Sequence, residues 1–257
     1  KRIKIKIKFK KQHLSFTRRR RLTYNFVLTN NPIFCAIDTS DIDKAVELVD
    51  QISPHVGGIK LGLEFFTSCG LLGMEKIKKY EIPIFIDLKL YDIPNTVKHS
   101  LSNILQFDPK YTTLHLSGGS EMLTECINVK NKLNSKTKLI GVTMLTSFND
   151  ELISEIGIEK SVNENVKQLT QLAVNCGMDG IVCSPLEISE VKNTHESKLQ
   201  IISPGIRGKD SLVNDQKRTL SAKEAIDAGA DILVVGRPIT NAKDPAKAAE
   251  NIYSEIT

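Results

Sequence analysis

From Pro32 to the end of the chain, eight short apolar runs rich in β-formers alternate with longer stretches of helical periodicity. This alternation constrains the fold more than any other feature of the sequence. The runs are IFCAID (33–38), GGIKLGL (57–63), IPIFIDLKL (82–90), YTTLHLSG (111–118), KLIGVTML (138–145), DGIVCSP (179–185), QIISPGI (200–206) and ADILVVGRPI (230–239). Near-continuous apolar character implies burial on both faces, as in parallel strands covered by helices. Between the runs, Asp41 to Ile52 places Ile42, Ala45, Val46, Leu48 and Val49 on one side of a helix, and Val162 to Cys176 is likewise amphipathic. Ser221 and Glu224 have capping-box spacing ahead of a helix to Ala228, and Pro245 opens a closing helix to Ile256. Eight strand–helix units predict an α/β fold, a (β/α)8 TIM barrel over residues 32–257, because a doubly wound sheet usually has fewer strands. No low-complexity linker divides this span, so one domain is expected.

The net charge of +5 belongs to one end of the chain. Residues 1–37 hold 11 Lys or Arg and no acid, so the other 24 of the 35 bases face all 30 acids, a net of −6. The alternating RIKIKIKFK and the RRRR at 18–21 set off residues 1–31 as a basic N-terminal extension, expected to be disordered or artefactual. A targeting arm or a contact for nucleic acid or a membrane surface are the other readings of it. The acidic remainder argues against nucleic acid as a partner of the barrel. No apolar run approaches the roughly 18 residues that span a bilayer. The five cysteines (35, 69, 126, 176 and 183) are odd in number and form no C-x-x-C pair. That pattern predicts reduced thiols in a cytoplasmic setting, without disulfides or zinc.

In a barrel of this kind the chemistry sits at the C-terminal ends of the strands. The chain collects its unusual residues there: Asp38 after the first run, Lys60 in the second, Asp87 and Lys89 in the third with Asp92 just beyond. Asp87 and Lys89 are two apart, so a regular strand projects them to the same side. With Lys60 and Asp92 they predict an alternating Lys–Asp–Lys–Asp cluster, costly to bury unless closely paired. Such a cluster suits preorganised electrostatics and proton donation by a lysine. Other readings stay open at this stage: Asp38 as a helix cap, Lys60 snorkelling at the rim, His115 as a rim histidine or a base, and Ser184-Pro185 as turn chemistry. PGIR at 204–207, the polar loop through Gln216 and GRP at 236–238 fit the phosphate cup that follows strands seven and eight. The segment from Gly208 to Arg218 reads either as a closing lid or as a solvated loop.

The set DLKLYDIPNTV, AID, IKLG, HLSGG, VTMLTS, SPGIR, DQKR and VVGRPI, in this order, resembles the orotidine 5′-phosphate decarboxylase family in its bacterial, monofunctional form. The resemblance runs from about Ile33 to the end. It implies a carboxy-lyase of pyrimidine biosynthesis that converts orotidine 5′-phosphate to UMP without cofactor or metal. By the same resemblance Asp38 and Lys60 hold the ribose hydroxyls and join the charged network, Asp87 lies beside the scissile carboxylate, and Lys89 protonates C6. Thr146 contacts the pyrimidine, while Arg207, Gln216, Gly236 and Arg237 hold the phosphate. Asp92, Ile93 and Thr96 reach the site of a second subunit, which implies a homodimer. A Mg2+-dependent sugar-phosphate decarboxylase or aldolase of the same suprafamily is the alternative. It has an acid where this chain has Lys60. A barrel without activity that binds nucleic acid through its basic arm is the reading from another class.

Overall fold

A computed structural model describes residues 31–195, 199–206 and 220–257. Residues 1–30, Arg207 and Gln216, and with them most of the basic extension and half of the expected phosphate cup, lie outside the described residues.

The eight apolar runs form eight parallel strands that close into a barrel in sequence order. They are β1 (Ile33–Ala36), β2 (Gly58–Gly62), β3 (Ile84–Leu90), β4 (Tyr111–His115), β5 (Lys138–Val142), β6 (Gly180–Val182), β7 (Gln200–Ser203) and β8 (Ile232–Val235). The ring closes where β1 pairs with β8, Cys35 opposite Val235. Around it lie α1 (Ile42–Ile52), α2 (Leu63–Lys78), α3 (Pro94–Leu105), α4 (Gly119–Lys132), α6 (Val162–Cys176), α7 (Ile188–His195), α8 (Ala222–Asp227) and α10 (Pro245–Ser254). Two short helices, α5 (Asp150–Glu155) and α9 (Arg237–Thr240), sit between a strand and its outer helix.

Local chemistry sets the helix starts. Asp41 caps α1 by accepting from the N–H groups of Asp43 and Lys44. Ser161 with Glu164 and Ser221 with Glu224 form reciprocal capping boxes at α6 and α8. Asp244 caps α10, with Pro245 at its first position.

The strands are shorter than the apolar runs, mostly at their C-terminal ends. KLIGVTML leaves the ladder after Val142, and ADILVVGRPI after Val235. Apolarity reports burial rather than ladder pairing: Met144 and Leu145 leave the sheet yet still line the barrel mouth.

Alternation along each strand divides the core in two. Inward residues Phe34, Phe85, Tyr111, Ile140, Ile202 and Ile232 fill the barrel, while residues such as Ile59, Leu61, Leu114 and Leu233 face the helices. The barrel floor is aromatic: the Tyr111 ring meets Phe34 and Phe85 edge-on, with centroids 5.4 and 5.7 Å apart. Gly58 makes room for this cluster, since a Cβ there would lie 2.2 Å from Phe34 Cε1. Gly58→Ala is therefore expected to destabilise the protein by about 1–3 kcal/mol through overpacking. Urea unfolding should show a lower midpoint with an unchanged m-value, partly restored in Gly58→Ala/Phe34→Leu.

Candidate active site

A single carboxylate, Asp87, organises the barrel mouth. It is 7% exposed. Lys89 Nζ lies 2.9 Å from both of its oxygens. Lys60 Nζ, from the neighbouring strand, lies 3.7 Å from Asp87 Oδ2 and 3.3 Å from Asp38 Oδ1. The Thr113 hydroxyl donates to Asp87 Oδ1 at 2.9 Å. Burial alone would push the Asp87 carboxyl upward, but Lys89 and then Lys60, aided by hydrogen bonds from Lys89 and Thr113, hold it below its ordinary value.

The chain places these groups by register. β1 brings Ala36 opposite Lys60, and β3 brings Asp87 opposite Gly62. Gly62 leaves space for the ammonium: a Cβ there would stand 2.9 Å from Lys60 Nζ. Asp38 is no helix cap, since Asp41 fills that role and Asp38 turns to Lys60. Lys60 is no rim lysine either, with a side chain only 12% exposed.

Asp87 and Lys89 do meet, but a regular strand is not what joins them. The register between β3 and β4 shifts, from Ile86 opposite Thr112 to Leu90 opposite Leu114. Residues 87–89 thus stand against the single residue Thr113, as in a β-bulge. Lys89 sits at φ +48°, the left-handed region that a side chain rarely adopts. Thr113 Oγ1 accepts the Lys89 backbone N–H at 2.9 Å, where a ladder carbonyl would otherwise serve.

Within its own chain Asp92 does not join the lysines; it is exposed, and its Oδ1 accepts the N–H of Ile93 at 2.7 Å. With Asp38, one chain contributes two ammoniums and two carboxylates to the site. Ile93 and Thr96 are exposed beside Asp92, and Ile93 and Tyr91 show 66% and 62% of their surface.

The cluster forms one wall of a cavity of about 270 Å³. Val142, Val182, Ile202 and Val234 add an apolar lining, and Thr146, Gly236 and Arg237 also line it. Ile206 lines the cavity too and bridges to Leu220, so both ends of the segment between them meet at the mouth.

His115 ends β4 with its ring tilted over Tyr91, centroids 5.5 Å apart. Its Nδ1 is buried and has no partner among the described residues. Burial, and then Lys89, lower its pKa, which favours the neutral imidazole. Ser184 does turn chemistry, accepting from the Leu186 N–H at 3.4 Å. Among the described residues no group of three or more His, Cys, Asp or Glu could hold a metal, and no helix is long and apolar enough to cross a membrane.

Sequence reasoning missed Thr113. Its signal was parity: Tyr111, Thr113 and His115 share one side of β4, so a hydroxyl had to face the barrel interior. The bulge left no signal, because DLKLYD carries neither Gly nor Pro.

Neutralising Asp87 would leave two ammoniums facing each other. Asp87→Asn is expected to destabilise the fold by on the order of 3 kcal/mol at neutral pH. Because the folded-state pKa is depressed, this contribution is present above the unfolded carboxyl pKa and is lost as pH falls through the lower folded value. Urea midpoints of both proteins should therefore stay apart above about pH 4 and converge below it.

Comparison with known proteins places this geometry. The family model described as "Orotidine 5'-phosphate decarboxylase / HUMPS family" matches residues 31–252. A protein named orotidine 5′-phosphate decarboxylase from Wolbachia pipientis subsp. Culex pipiens is 46% identical over 230 residues, covering 88% of this chain and 99% of that protein. One of the same name from Ehrlichia chaffeensis is 47% identical over 228 residues, covering 88% and 97%. The crystal structure of orotidine 5′-phosphate decarboxylase from Lactobacillus acidophilus superposes with a TM-score of 0.76 at 32% identity, over 88% of this chain and 99% of that one. The chain belongs to the orotidine 5′-phosphate decarboxylase / HUMPS family.

Proposed function

We propose that the chain is a carboxy-lyase that converts orotidine 5′-phosphate to UMP and CO2 in pyrimidine biosynthesis, without cofactor or metal. One observation carries the reading: an ammonium, Lys60, occupies the position between the carboxylates of Asp38 and Asp87. The Mg2+-dependent alternative falls within the same family model, but a divalent cation there would meet that ammonium instead of a free acid pair. The curated relatives' names favour the decarboxylase.

In the reaction the bond between C6 and the carboxylate breaks and CO2 leaves with no ordinary electron sink at C6. Lys89 supplies a cation where the electron pair develops and gives that pair its proton. Solvent returns a proton to the amine. Asp87 stands beside the departing carboxylate and holds Lys89 in line. Asp38 and Lys60 hold the ribose hydroxyls, and Thr146 contacts the pyrimidine. Gly236 and Arg237, with Arg207 and Gln216, hold the phosphate, whose binding far from the reacting bond offsets the cost of bringing a substrate carboxylate against Asp87.

A second copy completes the site. Asp92, Ile93 and Thr96 are exposed together beside Tyr91 and away from their own cluster, which suits a homodimer in which they enter the neighbouring cavity. Residues 32–257 form the catalytic unit, residues 1–31 an appendage to it, and the setting is cytoplasmic.

The test of the reading is conversion of orotidine 5′-phosphate to UMP in excess EDTA. Wild type should turn over, and Lys89→Ala should lose all measurable activity while remaining folded by circular dichroism. Turnover by Lys89→Ala removes that residue from its role, and dependence on Mg2+ overturns the metal-free reading. Sharing across the interface predicts complementation. Lys89→Ala and Asp92→Asn, each inactive alone, should on subunit exchange regain about one quarter of wild-type activity, since half the dimers then hold one intact site. No recovery between variants shown to exchange would place Asp92 in its own chain's site.

A further inference from the structure

We infer that Thr113 is a positioning residue of this site: its one hydroxyl fixes both the Asp87 carboxylate and the left-handed backbone of Lys89. The inference rests on the proposed reaction for its kinetic consequence, and on geometry alone for its structural one.

A hydroxyl has one proton to give and two lone pairs. Thr113 gives its proton to Asp87 Oδ1 at 2.9 Å and accepts the Lys89 N–H at 2.9 Å. The two contacts reach opposite ends of one short loop of chain. Asp87 is held at its carboxylate and Lys89 at its backbone, and the Lys89 ammonium then closes the circuit at 2.9 Å on both Asp87 oxygens. Thr113 is fully buried. Among the described residues it makes the uncharged side-chain hydrogen bond to Asp87, beside the charged contacts of the two lysines.

The strained backbone needs this support. A non-glycine residue in the left-handed region costs about 1–3 kcal/mol and persists only where its surroundings fix it. At Lys89 the regular ladder cannot do so, because the bulge sets three residues against Thr113 alone. Without the hydroxyl the Lys89 N–H would be left without its acceptor. The segment could then relax toward regular strand geometry, which would rotate the Lys89 side chain away from Asp87. A misplacement of about 1 Å at a reacting group costs about 100-fold in rate.

Thr113→Val keeps the shape and removes the hydroxyl; Thr113→Ser keeps the hydroxyl. With orotidine 5′-phosphate as substrate, Thr113→Val is expected to lose about 100-fold in kcat with KM little changed, while Thr113→Ser stays within about 5-fold of wild type. A valine variant with wild-type kcat, or a serine variant as impaired as valine, overturns the inference. A second readout is independent of turnover. The 13C titration of the Asp87 carboxyl should move to higher pH in Thr113→Val and stay in place in Thr113→Ser, because the ionised form loses a donor only in the first. An unmoved midpoint in the valine variant overturns the clamp whether or not the wild type acts on orotidine 5′-phosphate. Absence of wild-type turnover beside the expected shift would instead overturn the reaction and leave the clamp standing.

Discussion

The contact between Asp87 and Lys89 is the constraint on which the barrel mouth is built. Two lysines that face one small cavity repel each other, and each costs several kcal/mol to desolvate unless it is paired. Asp87 lies between them, 2.9 Å from one and 3.7 Å from the other, and Asp38 takes the remaining side of Lys60. The four groups that one chain contributes are neutral as a set. Neutrality lets them sit against the apolar wall of Val142, Val182, Ile202 and Val234. That apolar wall strengthens most the pairings of Asp87, the most buried of the four groups.

A neutral cluster has a consequence for the proposed chemistry. A substrate carboxylate placed beside Asp87 brings a negative charge into a set with no spare cation, since one chain's charges already balance and the proposed second copy adds only Asp92. Binding at that end is therefore unfavourable, and the favourable contacts must come from the other end of the ligand. The cavity offers such contacts beside the charged cluster: Gly236 and Arg237 line it just after β8, the strand that pairs with β1. In the proposed reaction the added charge passes to C6 as CO2 leaves, and Lys89 would meet it there. On that proposal the site would favour the charge distribution of the transition state over that of the bound substrate.

Much of this was legible in the sequence, and the gaps have physical causes. Eight apolar runs gave the strand count and order, because parallel strands buried on both faces show as continuous apolarity. The capping spacing of Ser221 with Glu224 was enough to place α8, since that chemistry is local. The polar residues at the strand ends led to Lys60, Asp87 and Lys89, because a charge at the mouth of a core strand stands out against its neighbours. Spacing alone left Asp38 open as a helix cap, the resemblance put it in the site, and the structure gives the cap to Asp41. Asp92 read as one of the cluster because three charges, Asp87, Lys89 and Asp92, fall within six positions, while the chain turns after Leu90 and leaves Asp92 exposed. Strand ends were overrun because Met144 and Leu145 are as apolar as the ladder they follow.

The least legible feature is also the one that aims the lysine. Period-two reasoning put Asp87 and Lys89 on one side and was right about their meeting, yet a flat strand would hold their Cα atoms more than 6 Å apart, with side chains parallel rather than converging. Convergence requires the backbone to turn between them. The bulge supplies that turn, and it leaves the Lys89 N–H without a ladder partner, so a side-chain acceptor has to face it from β4. A valine or isoleucine at residue 113 would satisfy the apolar pattern of the strand equally well and offer no acceptor. Threonine has nearly the same shape and adds the one oxygen the bulge requires. The β-branched residue that any strand would accept is thus, at this position, the complement of a departure from strand geometry two strands' width of chemistry depends on: the lysine, its carboxylate and the hydroxyl form one unit that no single run of sequence displays.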